Sequence, residues 1–361
     1  MSENTRDRIV FLDYMRVFAF ISVLIGHKFE PEMAAMLSAS ADHALLNTIA
    51  TFLYNICYGG AAGVIVFFIT SGYIITHVLQ TESSPDFLIK RLFRIYPLYI
   101  AAVIIEALTY YPFTGTIETS LKILIPRMLL IGDFFETPYA LGGVEWTLRV
   151  ELVFYLFMAL LKATGILGRT TWLPLALLAV TLTLYALPEF PAADQWLHGY
   201  FTLYAPFLFI GICLYLLQTK KSPAYLCLPV IITITALFIK NLAILHPAWS
   251  VFNFAIPAVL IFISAWLGRK HLPDSRVLRL LSNMTYSIYL FHNWLWKIIT
   301  KNLKIHEIDY LPVKTQALIV LFFVCYIAHK TIELKAIKAG RYLTVYFKKK
   351  KAYPVETSQT T

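Results

Sequence analysis

Two histidines, a few acids and a handful of arginines stand inside or beside long apolar runs, where an ionisable group is costly and needs a cavity or a partner. The run "LDYMRVFAFISVLIGH" (12–27) holds Asp13, Arg16 and His27. Eleven residues at about 100° each come within ~20° of three full turns, so on a helix Arg16 and His27 share a face, about 16 Å apart along the axis. Asp13 precedes Arg16 by one turn and can pair with it. In "FLIKRLFRIYPLY" (87–99), Arg91 and Arg94 are three apart beside Lys90. Two guanidiniums at that spacing suit phosphate oxygens, and they suit an ordinary basic anchor at a membrane edge equally well.

The stretch "GGVEWTLRVELVFY" (142–155) places Glu151 within an apolar run, with Tyr155 one turn on. An acid at that depth needs a partner. Arg149 is two residues away and points elsewhere on a helix, so Arg16 and His27 on another helix are the obvious candidates. Glu145 and Arg149, four apart, read as a local pair at the interface. "SNMTYSIYLFHNWLWK" (282–297) carries Tyr289 and His292 three apart, and one hydrogen bond to a neighbour would account for that imidazole. "GAAGVIVFFITSGYIIT" (60–76) offers Gly63, Ser71 and Gly72, small residues that let helices approach closely. No G-x-S-x-G elbow surrounds Ser71, which reads as a packing residue. The set contains no metal-ligand cage, no Gly-rich phosphate loop and no Ser-His-Asp pattern. It suits general-base activation of a hydroxyl. It suits a proton-coupled transporter or a lipid-linked sugar flippase as well, and the residues alone do not choose.

The elements that must hold these groups are membrane helices. The chain has 361 residues, 58% hydrophobic and only 14% charged, with a mean hydropathy of +0.66; soluble domains carry roughly 25% charged residues. The reading is an all-α polytopic bundle of about ten transmembrane helices, near 12–30, 61–80, 95–112, 147–164, 172–188, 199–218, 224–242, 250–268, 282–300 and 314–332. A shorter run, 121–132, carries Pro126 and Arg127 and reads as interfacial or re-entrant. Residues 1–332 form the membrane domain and 333–361 a tail, whose basic, aromatic part (333–353) is expected to lie on anionic lipid and whose end, "PVETSQTT" (354–361), is expected to be disordered. Cys57, Cys213, Cys227 and Cys325 are scattered and read as packing residues. No small-residue cleavage site follows the first apolar run, so it is expected to stay as a span.

The formal net charge of +10 raises the question of nucleic acid. The basic residues are instead sorted by loop. Arg6, Arg8, Lys90, Arg91, Arg94, Lys162, Arg169, Lys220, Lys221, Arg269, Lys270, Arg276 and Arg279, thirteen in all, fall at the N-terminus and after even-numbered spans. The opposite loops hold six: Lys122, Arg127, Lys240, Lys301, Lys304 and Lys314. The "KKKK" of 348–351 adds to the richer side, and the stretch 31–61 has no Lys or Arg. By the positive-inside rule both termini are expected in the cytoplasm, and no nucleic-acid partner is expected.

Five blocks, "FLDYMRVFAFISVLIGH", "GVIVFFITSGYIIT", "FLIKRLFRIYPLYI", "VEWTLRVELVFY" and "LSNMTYSIYLFHNWL", resemble in order and spacing the signature blocks of acyltransferase family 3, over roughly residues 8–332. The resemblance implies an integral membrane O-acyltransferase of the stand-alone form, in a bacterial inner membrane. It implies acyl-CoA, most simply acetyl-CoA, as donor. The implied acceptor is a surface glycan or lipid-linked glycan such as lipopolysaccharide O-antigen, capsule or exopolysaccharide. Arg16-x10-His27 matches the family's basic-x10-His pattern with His27 catalytic. Arg91-x-x-Arg94 matches its acyl-CoA-holding pair. Trp146 with Glu151 and Tyr289 with His292 match its two later blocks. Together with the residue reading, this gives His27 as base, Glu151 orienting or charge-stabilising it, and Arg16 beside Arg91 and Arg94 on the donor path. Asp13, Trp146, Tyr155, Tyr289 and His292 give support, no metal is required, and the oligomeric state stays open. The expected architecture is a tunnel joining the guanidiniums to His27.

Overall fold

A backbone in hydrocarbon must satisfy its own polar groups, which long apolar runs do by coiling into helices. The computed structural model describes residues 8–115, 117–118, 120–192 and 197–352, and among these every regular element is helical. In chain order they are α1 (Val10–Lys28), α2 (Glu30–Ala39), α3 (Ala44–Cys57), α4 (Ala61–Val78), α5 (Ser84–Thr114), α6 (Leu121–Met128), α7 (Trp146–Ala163), α8 (Leu173–Ala186), α9 (Tyr200–Tyr204), α10 (Phe207–Gln218), α11 (Ala224–Leu245), α12 (Pro247–Ser250), α13 (Ala255–Leu267), α14 (Arg276–Phe291), α15 (Trp294–Ile305), α16 (Val313–Ala328) and α17 (Leu334–Ala352). Arg6 and residues 354–361 lie outside the described residues.

Among the described residues, six stretches are long and apolar enough to cross a bilayer: Val10–Lys28, Ala44–Val78, Ser84–Pro112, Tyr200–Gln218, Ala224–Leu245 and Val313–Lys348. Large apolar side chains cover outward faces of several helices, among them Leu108, Leu156, Ile232, Leu260 and Phe323. The protein is an integral membrane protein. The other four expected spans are helical in different ways. Residues 147–164 become α7, 18 residues holding Arg149, Glu151 and Lys162. Residues 172–188 and 250–268 become α8 and α13, of 14 and 13 residues, about 20 Å each against a hydrocarbon core of ~30 Å. Residues 282–300 are interrupted, α14 ending at Phe291 and α15 starting at Trp294. The stretch 31–61 is itself helical, and α3 runs through a tight turn into α4. In that turn Gly59 and Gly60 take φ of +54° and +71°, left-handed values that cost glycine little.

The centre is α4 against α10. Residues 207–216 of α10 are all buried, as are most of α4, so both helices are surrounded by protein. Glycines make the approach possible. A Cβ on Gly72 would lie 1.8 Å from the Leu208 carbonyl oxygen, and one on Gly211 would lie 2.1 Å from that of Ile69. Gly63 serves α1 likewise, where a Cβ would meet the Ala19 carbonyl oxygen at 2.4 Å. At the other end of the chain, a π-helical turn (His329–Glu333) carries α16 into α17 without a break. Residue 333 therefore falls inside a continuous helix. Its extension packs on α5 where Gly340 meets Phe93, and Lys348 Nζ reaches Asp86 Oδ2 at 2.8 Å.

Gly72→Ala is expected to force α4 from α10 and cost about 1–3 kcal/mol or more. Gly168→Ala, whose Cβ would meet nothing within 4 Å, is the control. Thermal unfolding of the two purified variants in detergent checks this, with a lowered midpoint expected for the first alone.

Candidate active site

Because α1 is unbroken from Val10 to Lys28, Arg16 and His27 keep the face and spacing that the sequence dictates. Asp13 is buried, but Arg16 is a distant partner at 3.9 Å. Its carboxylate is taken by Arg8 through Nε (2.5 Å) and Nη2 (3.0 Å) and by Ser282 Oγ (2.6 Å). Arg16 is left free to line a small cavity of about 60 Å³ together with Arg91, Arg94, Glu151, Ser71, Tyr155 and Tyr289. Three guanidiniums thus face one carboxylate. Arg91 lies over the rings of Phe87 (5.2 Å) and Tyr155 (5.9 Å), and its Nε is buried without a hydrogen-bond partner among the described residues.

Glu151 does not meet His27 or pair with Arg16 by hydrogen bond. Its Oε1 accepts from Ser71 Oγ at 2.7 Å and from Tyr155 OH at 3.0 Å. The expectation that Glu151 orients His27 is corrected here, and Ser71 is more than a packing residue. The reason is register: Glu151 sits at the depth of Ser71 on α4, whereas His27 is carried to the last turn of α1.

A second cavity of about 330 Å³ adjoins the first, and Val23, Val64 and Tyr289 line both. His27 lines this larger space and is exposed to it. Trp146, Tyr200, Tyr204, His246, Trp249 and Asn293 form much of the rest of the wall. Trp146 stacks obliquely on Tyr200 and Tyr204, with ring centroids 5.0 and 5.2 Å apart. His27 Nδ1 is 3.0 Å from His292 Nε2, and its Nε2 is 3.2 Å from the Gly59 carbonyl oxygen. His292, 1% exposed, lies behind His27 and lines neither cavity. Tyr289 stands in the dividing wall, its hydroxyl donating to the Val144 carbonyl (2.9 Å) and accepting from Thr147 Oγ1 (2.8 Å). Lys28 Nζ donates to Asn293 Oδ1 at 2.8 Å.

Glu145 and Arg149 pair as expected, and both are buried in the fold. Arg149 is buried between two carboxylates, with Nη2 at 2.6 Å from Glu145 and Nη1 at 2.6 Å from Asp133. Tyr99 (3.1 Å) donates to Glu145, and Tyr139 (2.6 Å) and Tyr200 donate to Asp133. This knot fixes the segment between α6 and α7 against the bundle and so places Trp146. Sequence reasoning passed over Gly59, Asn293, His246, Trp249 and the aromatics of α9. The "YGG" after α3 and the "HN" after Phe291 were the available signals.

A family model described as an acyltransferase domain matches residues 9–330. Among curated proteins, nodulation protein 10 of Rhizobium leguminosarum bv. viciae is 26% identical over 168 residues. That alignment spans 41% of this chain and 43% of the relative. No solved structure matches.

Removing Arg149 would leave two buried carboxylates facing each other. Arg149→Met is expected to cost about 3–5 kcal/mol, read as a lowered unfolding midpoint and reduced yield of monodisperse protein, where a neighbouring exposed substitution such as Val153→Met changes neither.

Proposed function

The chain belongs to acyltransferase family 3, and from that premise we propose that it moves an acyl group, in our reading acetyl, from cytoplasmic acyl-CoA to a hydroxyl of a cell-surface glycan. The observation that carries this is the pair of adjoining cavities: a cluster of three guanidiniums with a single carboxylate, next to a larger, aromatic-walled space that His27 faces. Clustered guanidiniums attract phosphate by charge-assisted hydrogen bonds. The loop charges support placing the Arg16, Arg91 and Arg94 end and both termini on the cytoplasmic side of a bacterial inner membrane, where acyl-CoA is made. The larger cavity then opens towards the outer leaflet and the glycan.

In this reading Arg91 and Arg94 hold the phosphates of CoA, and Arg16 lines the path along which the thioester arm passes Tyr289. The acceptor oxygen attacks the thioester carbonyl carbon while its proton passes to His27. The carbon–sulfur bond breaks, the ester is formed, and the CoA thiolate takes the proton back from His27. Proton, acyl group and thiol balance, and the base is regenerated. Glu151, held by Ser71 and Tyr155, offsets part of the positive charge along the path.

The test is acyl transfer by purified protein supplied with acetyl-CoA. Consumption of the thioester supports an enzyme, and its absence alongside proton-driven flux supports a transporter. His27→Ala is expected to lower kcat by about 10²–10⁴-fold with donor binding retained; retained turnover removes it as the base. Arg91→Ala with Arg94→Ala is expected to raise the donor KM on the order of 10²-fold through lost charged hydrogen bonds, and an unchanged KM removes them from the donor site. Mass spectrometry of the surface glycan with and without the gene should differ by an acetyl group on its repeating unit.

A further inference from the structure

His27 and His292 form a line of contacts with a backbone carbonyl at each end. Gly59 O is 3.2 Å from His27 Nε2. His27 Nδ1 is 3.0 Å from His292 Nε2. His292 Nδ1 is 2.7 Å from Tyr289 O. A carbonyl can only accept, so each of the three contacts calls for one ring N–H. Two neutral imidazoles bring two. One contact goes without, and the distances pick it out. If Gly59 held the His27 Nε2–H, either His292 would donate to His27 and turn a bare lone pair on the Tyr289 oxygen at 2.7 Å, or the lone pairs of His27 Nδ1 and His292 Nε2 would face each other at 3.0 Å. If instead His292 Nδ1–H bonds Tyr289, His292 Nε2 accepts from His27 Nδ1–H. The unprotonated nitrogen is then His27 Nε2, at the longest contact and not the nitrogen that faces buried His292.

Resting on the reading of His27 as the base, we propose that His292 is a positioning residue that sets the tautomer of His27, keeping the Nε2 lone pair available to the acceptor hydroxyl. Gly59 O is the waiting partner, since a proton arriving on Nε2 completes all three contacts. The device depends on the break between α14 and α15. A helix end leaves its last carbonyls without intrahelical partners, and Tyr289 O, in the final turn of α14, is taken by the side chain of the residue that follows the helix. Gly59 supplies its carbonyl from a left-handed turn, where φ is +54°. Without His292, the Gly59 carbonyl is the one fixed partner of His27. It would hold Nε2–H and turn the lone pair to Nδ1, away from the cavity. The same logic is known from serine proteases, where a wrongly held histidine tautomer costs about 10⁴ in kcat.

The experiment reads the tautomer directly. Protein labelled with ¹⁵N-histidine in lipid nanodiscs is examined by NMR at neutral pH as wild type, His292→Leu and His292→Gln, with His27→Ala for assignment. Wild type is expected to carry His27 as the Nδ1–H form. His292→Leu should convert it to Nε2–H and lower kcat about 10²-fold or more, at unchanged donor KM. His292→Gln, which restores an acceptor oxygen, should keep Nδ1–H and recover turnover to within about tenfold of wild type. Donor binding by each variant reports that it is folded, and the wild-type spectrum needs no variant. An Nε2–H or doubly protonated His27 in the resting wild type, or the same tautomer in wild type and His292→Leu, would overturn the proposal. An active His27→Ala protein would instead overturn the reading of His27 as base, whatever the tautomer.

Discussion

Charge in an apolar bundle must be paired or wetted, and Arg16, Arg91 and Arg94 converge on a cavity where, among the described residues that line it, only Glu151 carries the opposite sign. The neighbouring carboxylates are committed elsewhere. Asp13 is held by Arg8 and Ser282. Glu145 and Asp133 are held by Arg149. An excess of half-buried positive charge is tolerable where water or an anion can reach it. The helices around it are arranged accordingly. Gly63 and Gly72 draw α1 and α10 onto α4, so that the face of α1 bearing Arg16 and His27 turns inward along two cavities. The packing that places the charges also excludes the lipid that would otherwise meet them.

How far this was legible depends on whether one helix or several determine a feature. The common face of Arg16 and His27 follows from eleven residues of one helix, and α1 has it. The close approach at Gly63 and Gly72 was readable because glycine at such positions has few other uses in a membrane helix. Partners chosen across helices were not readable. Glu151 takes Ser71, eighty residues away, and Arg149 takes Asp133 from a segment that reads as a loop. The number of spans was hard to read for the same reason. Apolar periodicity does not distinguish a lipid-facing span from α7, whose residues 146–151 are all buried. Nor does it reveal the stop at Phe291, where no proline or glycine marks the break. The positive-inside pattern concerns the membrane as a whole, and its reading of the termini rests on loop charge rather than on contacts within the fold.

The interruption at 291–294 is what separates two tasks that one straight helix could not perform together. Tyr289 takes part in both. Its hydroxyl is tied to Val144 and Thr147 at the head of α7, and its ring, 6.2 Å from and nearly parallel to that of Phe67, lies in the wall between the cavities. Its carbonyl, freed by the helix end, accepts from His292. Had α14 continued, that carbonyl would also accept the backbone N–H of Asn293 by the i to i+4 rule, and the His292 ring would share its acceptor. A single discontinuity therefore sets the boundary between the charged and aromatic cavities and the orientation of the nitrogen that faces the second. Both effects act through backbone carbonyls, whose positions are held by helix packing rather than by any side chain that a sequence motif would display.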